Sequence, residues 1–230
     1  MLELRDVTAG YGDPARAPAV LSGLQLRLAP GERLGLLGPS GSGKTTIIRL
    51  LTFQLPLWSG EYLVDAQPVN GTGWAVSAEV RRKVGLMLQS PRAATDPRMR
   101  LRAAITEPLR TLPRVDRPGP ALTERRLAQA IAQAAFASEL LERLPAEVSE
   151  GQLARAMLAR AIIAEPRYLV CDEPTASVDS ATAQTVRRTL TEIAASGVGV
   201  LVVSHHETEL VNWADRVLRL GHGAVTQADR

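Results

Sequence analysis

The octapeptide Gly38-Pro39-Ser40-Gly41-Ser42-Gly43-Lys44-Thr45 constrains this chain more than any other stretch. It satisfies the spacing G-x-x-x-x-G-K-[ST] and lies between a short apolar run, Arg33 to Leu37, and a helical pattern from Lys44 to about Phe53. A strand that turns through glycines into a helix can wrap backbone N–H groups around one anion, and the helix N-terminus adds partial positive charge beneath it. Lys44 is then placed for β- and γ-phosphates and the Thr45 hydroxyl for Mg²⁺. Gly38 through Thr46 are therefore expected to hold a nucleotide triphosphate. The same order, strand, loop and helix, commits the chain to an α/β fold.

The rest of the chain fits that commitment. Leu2 to Val7 and Leu24 to Leu28 alternate apolar and polar residues, as strands with one wet face do. Tyr62 to Val64 and Val84 to Leu88 read as further strands, the latter ending at Gln89. From Leu101 to Leu144 the periodicity is helical, clearest over Leu122 to Phe136, with a Pro/Gly-rich break at Pro113 to Pro120. Beyond it come a helix (about Gln152 to Ala164), an apolar strand (Tyr168 to Cys171), a helix (Ser180 to Ala194) and another apolar strand (Val198 to Val203). Apolar strands alternating with helices predict a mostly parallel sheet covered on both faces. The expected organisation is one domain over 1–230, with a nucleotide-binding core at about 1–89 and 150–230 and a helical subdomain at about 90–149. At 230 residues and 45% hydrophobic content, one core with a modest subdomain is what the chain can bury.

Charge and cysteine content exclude other classes. Lys44 and Lys83 are the only lysines, and the net charge of +3, spread over scattered arginines, gives no basis for a nucleic-acid partner. With Cys171 alone, neither an internal disulfide nor a cysteine-built metal site can form. Met1 to Gly10 lacks the charged start and apolar stretch of a signal peptide, and no apolar run approaches the roughly 20 residues needed to cross a bilayer. A membrane role would have to come through partners.

A second motif supplies the chemistry that the phosphate loop lacks. Tyr168-Leu169-Val170-Cys171-Asp172-Glu173 is an apolar strand ending in two acids, which is costly to bury without cations to answer them. If that strand lies beside the phosphate loop, Asp172 can hold the Mg²⁺ that Thr45 binds, and Glu173 can serve as general base toward an attacking water.

Asp172-Glu173-Pro174-Thr175 followed by Ala176-Ser177-Val178-Asp179 resembles the Walker B motif and D-loop of ATP-binding-cassette (ABC) ATPases. Val148-Ser149-Glu150-Gly151-Gln152 stands where that family carries its signature, usually L-S-G-G-Q. Gln89 matches the Q-loop, His205 the switch histidine, with His206 as a rival, and Tyr11 the aromatic residue that stacks on adenine. The resemblance covers nearly the whole chain. It implies a P-loop NTPase core with an antiparallel β subdomain and an inserted helical subdomain, and ATP with Mg²⁺ as cofactors. In the nucleotide site it implies roles for Tyr11, the loop, Gln89 (also toward the metal) and Asp179. Ser149, Gly151 and Gln152 would face ATP held by an opposing subunit. Glu150 departs from the family glycine, and a carboxylate beside a phosphate is repulsive, so its side chain is expected to turn away from the nucleotide.

The stretch Leu88 to Met99, with Glu107-Pro108-Leu109, resembles the oligopeptide, dipeptide, nickel and opine-metallophore importer ATPases. That resemblance implies a second ATPase subunit, different or identical, two membrane permease subunits, a periplasmic or extracellular solute-binding protein, and a place at the cytoplasmic face of the inner membrane. A soluble cassette without transport duty, such as one in a phosphonate-breakdown complex, and an exporter or lipoprotein-release motor are the alternatives.

Overall fold

The computed structural model describes residues 1–176, 178–221 and 223–227. Ser177, within the expected D-loop, lies outside them. Strands β1 (Leu2–Ala9), β2 (Leu21–Leu28), β4 (Ser59–Val64) and β5 (Gln67–Pro68) form an antiparallel sheet in the order β2-β1-β4-β5. A second sheet has the order β10-β9-β3-β8-β7-β6. It comprises β3 (Arg33–Leu37), β6 (Val84–Met87), β7 (Tyr168–Asp172), β8 (Gly199–Ser204), β9 (Arg216–Gly221) and β10 (Ala224–Gln227). All its neighbours pair in parallel except β9 and β10.

The parallel sheet divides the interior into two apolar layers, because successive side chains of a strand point to opposite faces. Tyr168 and Val170 of β7, Leu201 and Val203 of β8, and Leu34 and Leu36 of β3 face one layer. There they meet Ile47, Leu50 and Leu51 of helix α1 (Lys44–Leu51) and the antiparallel sheet. Leu169, Cys171, Val200 and Val202 face the other layer, which continues into helices α3 (Leu101–Arg110), α4 (Pro120–Gln133) and α5 (Glu150–Ile162). The helical region thus has no separate core. It shares one with the underside of the sheet, and α5, packed by both α3 and α4, is the bridge.

The acid-bearing strand β7 ends near the phosphate loop, where Asp172 feels Lys44, without pairing with β3: β8 pairs with both and stands between them. In addition, α2 (Ala78–Arg82), α7 (Glu207–Trp213), β5, β9 and β10 were not foreseen. They are short, so periodicity has little to count, and β9 exists because β3 has a second edge to satisfy. Helix α6 (Ser180–Ala195) follows the sequence reading to within one residue. Among the described residues no helix is long and apolar enough to cross a membrane.

Candidate nucleotide site

The parallel strands β3, β7 and β8 all end at the same edge of their sheet, and the loops that follow them carry the candidate residues. After β3 the chain turns through Gly41 and Gly43, whose φ values of 79° and 107° belong to the left-handed region that glycine adopts without strain. Close packing also demands glycine here: a Cβ on Gly38 would come within 2.6 Å of Ser42 Oγ and 2.9 Å of the Leu220 carbonyl oxygen. Helix α1 then begins at Lys44 with no side-chain cap and no acidic residue in its first turn. Its leading N–H groups are left for an anion. Lys44 Nζ donates to the carbonyl oxygens of Gly38 and Pro39 at 2.6 and 2.9 Å, curling over the loop that it would share with a phosphate. The buried Ser42 hydroxyl has no hydrogen-bond partner, which in a native interior calls for one.

At the end of β7 the backbone is forced into an uncommon shape. Glu173 has φ 44°, a left-handed conformation for a residue with a side chain, and is pinned there by its N–H donating to the Val203 carbonyl at 2.9 Å. The turn delivers the Glu173 carboxylate to two of the predicted residues. Its Oε1 lies 2.8 Å from His205 Nδ1, and its Oε2 accepts from Gln89 Nε2 at 3.5 Å. The side chain of Glu173 is only 12% exposed while that of His205 is 51% exposed, so the histidine covers the carboxylate from the solvent side. His206 does not make this contact; its ring stacks at a tilt on His205, with 4.0 Å between centroids. The interposed β8 is therefore what brings the histidine to the acid.

Asp172 is half-buried behind Glu173. Burial and the neighbouring Glu173 carboxylate push its pKa up, and Lys44 opposes them only in part. An acid held above its ordinary range at a phosphate-binding loop is short of positive charge. Among the described residues no group of three acidic, histidine or cysteine side chains converges as a complete metal site. The donor set instead fits a hard cation that takes Asp172 and Thr45 from the protein and its remaining ligands from phosphate and water. The cradle, the unpartnered Ser42 hydroxyl and the undercompensated Asp172 together fit Mg·ATP.

Tyr11 is 43% exposed. Its hydroxyl lies 3.3 Å from Thr46 Oγ1 and accepts from Arg49 at 3.1 Å, and the Arg49 guanidinium sits 5.5 Å from the ring centroid. Arg49 was not singled out from the sequence, where an exposed arginine on a helix gives no local sign of a tyrosine 38 residues earlier. Thr46 is buried and turned toward Tyr11.

The signature residues engage one another and α6. Ser149 Oγ accepts from Gln152 N at 3.2 Å while Gln152 Oε1 accepts from Ser149 N at 2.9 Å, a reciprocal cap on α5. Gly151 presses on α6, where a Cβ would come within 2.7 Å of Thr182 Oγ1. Thr182 is itself tied to Asp179, which caps α6 through Thr182 N at 2.9 Å. Glu150 is engaged by Arg92, another residue with no assigned role in the sequence reading.

Residues 21–176 match the family model described as ABC transporter. The chain is 31% identical over 230 residues to the oligopeptide transport ATP-binding protein OppF of Escherichia coli strain K12, covering 96% of this chain and 66% of that relative. It is 32% identical over 227 residues to the lipoprotein-releasing system ATP-binding protein LolD of Pseudomonas fluorescens, covering 97% and 96%. This chain thus spans just under two thirds of the length of OppF. A solved dimeric ATP-binding cassette in a post-hydrolysis state, bound to ADP and Pi, superposes with a TM-score of 0.86 at 24% identity, over 100% of this chain and 98% of that one, and shows the fold.

Proposed function

Because the chain belongs to the ABC transporter family, we propose that it is an ATP-binding and ATP-hydrolysing cassette that uses Mg²⁺, one of two such subunits that power a membrane importer. The observation that carries the hydrolytic part is the Glu173 carboxylate, left-handed at its backbone, capped by His205 and reached by Gln89. Lys44, the loop N–H groups and the N-terminus of α1 bind the triphosphate, with Gly38 to Thr46 as the cradle and Tyr11 beside the base. Thr45, Asp172 and Gln89 would hold Mg²⁺, which supplies charge neutralisation between the phosphates. Glu173 accepts the proton of the attacking water, and His205 fixes the carboxylate's orientation toward it. Ser149, Gly151 and Gln152, backed by Asp179, receive the γ-phosphate held by the opposing cassette, so a bound triphosphate favours the closed pair over separated subunits. Its cleavage releases that preference.

Movement must leave through a docking surface. A groove of about 330 Å³ lies where the end of α1, α2, α3 and α5 meet, lined by Phe53, Arg81, Arg82, Glu107, Arg160 and Pro166. It adjoins the helical region, where the family resemblance locates two permease subunits, at the cytoplasmic face of the membrane. The Leu88 to Met99 segment and the similarity to OppF support peptide, nickel or opine-type metal chelates as cargo, delivered by a solute-binding protein. Mild detergent extraction followed by affinity purification of the tagged chain tests this. Permease subunits should co-purify, and a purely soluble enzyme complex in their place would refute the importer assignment.

A further inference from the structure

Glu150 puts a negative charge on the first turn of α5, at the surface proposed to receive a phosphate. Its carboxylate is not free. Arg92 bonds it through Nε, and the same guanidinium donates to the carbonyl oxygens of Pro145 at 3.1 Å and Val148 at 3.2 Å. One arginine thus gathers the loop before the signature and the acid inside it. The segment bearing Arg92 also packs on α5: the buried Thr95 side chain, whose hydroxyl donates to the Pro91 carbonyl, lies 3.7 Å from Met157 Sδ. Arg92 lies three positions after Gln89, which reaches Glu173. We propose that Arg92 is a positioning residue for the composite ATP site: it neutralises Glu150 so that the signature surface accepts the opposing subunit's phosphate, and it couples that surface to the Gln89 segment of its own chain.

The physical reasoning is local. An exposed ion pair contributes little to stability, so a three-way fork at a half-exposed surface is of little use as a fold-stabilising device. Its electrostatic effect is larger, because without Arg92 two anions would be pressed together at closure, and like charges facing each other across an interface strongly disfavour it. The expectation that Glu150 turns from the nucleotide thus acquires an agent: Arg92 holds the carboxylate.

This inference rests on the cassette-pair reading, and the test keeps the two separable. The wild-type chain, purified with the subunits it assembles with, is assayed for Mg·ATP binding and hydrolysis beside Arg92→Ala and Arg92→Ala/Glu150→Gln. Arg92→Ala should lower kcat about tenfold with nucleotide affinity of the lone chain's own P-loop unchanged. The double variant should recover to within about twofold of wild type. An Arg92→Ala enzyme as active as wild type, or a double variant no better than the single, overturns the proposal. Should Arg92→Ala fail to fold, as read by its thermal melt, Arg92→Gln, which keeps a hydrogen-bonding side chain but removes the charge, makes the same comparison with and without Glu150→Gln. A wild-type assembly that neither binds nor hydrolyses Mg·ATP would instead remove the reading beneath it.

Discussion

Helices α1 and α5 both start at candidate phosphate surfaces, yet their N-termini are built in opposite ways. At α1 the preceding residue is a left-handed glycine, no side chain caps the helix and no acid enters its first turn. At α5 Ser149 and Gln152 cap each other and Glu150 adds a paired carboxylate. The first terminus is open and stands beside the acids of the sheet edge. The second is satisfied by itself, and a phosphate arriving there has to displace or share an existing cap. On the proposed reading, one surface of the chain is prepared to bind nucleotide alone, and the other would become a binding site only when a second subunit brings the ligand.

Substitutions can break this contrast from either side. The largest effect is expected of Glu173→Gln, which keeps the side-chain shape but removes the base. Turnover should fall by roughly 10²- to 10⁴-fold while Mg·ATP binding, followed by calorimetry, persists and the paired form accumulates on gel filtration. Normal turnover would take Glu173 out of this role. Lys44→Ala comes next, weakening Mg·ATP affinity of the lone chain by about 10- to 100-fold; unchanged affinity would deny α1 its role as the open terminus.

At the closed terminus, Ser149→Ala should cost about 1 kcal/mol of stability through the lost cap and leave Mg·ATP affinity of the lone chain unaltered. A loss of affinity in that variant would mean that the two surfaces already work together within one chain. The smallest effect belongs to Asp172→Asn. Because the folded state raises the Asp172 pKa from 3.8, that group favours the fold most at low pH. Its contribution is lost as pH rises through the folded value. Asp172→Asn should accordingly raise the melting temperature of the metal-free protein at neutral pH and reduce the stabilisation that Mg·ATP gives. A lower melting temperature would show that Asp172 was already compensated.

Much of the candidate site is legible along the chain because its groups sit next to strand and helix boundaries that leave local marks. The phosphate loop announces itself by glycine spacing, and Asp172-Glu173 by acids closing an apolar run. The signature surface was readable only as a motif. The contact made there by Glu150 joins it to Arg92 across 58 positions, and neither residue marks the other. Arg49 beneath Tyr11 escaped notice for the same reason. The short strands β9 and β10 were missed because four to six residues carry too little periodicity to separate from loop.

The residues by themselves marked the candidate phosphate loop and the candidate proton acceptor, and determined that α/β alternation would bury one sheet between two apolar layers. Those are consequences of side-chain type and of spacing over a few residues. Only the tertiary structure decided that β8 would stand between β3 and β7, setting His205 on Glu173, and that Arg92 would close on Glu150. Strand order and long-range ion pairs depend on how separate elements meet in space, which local spacing does not specify.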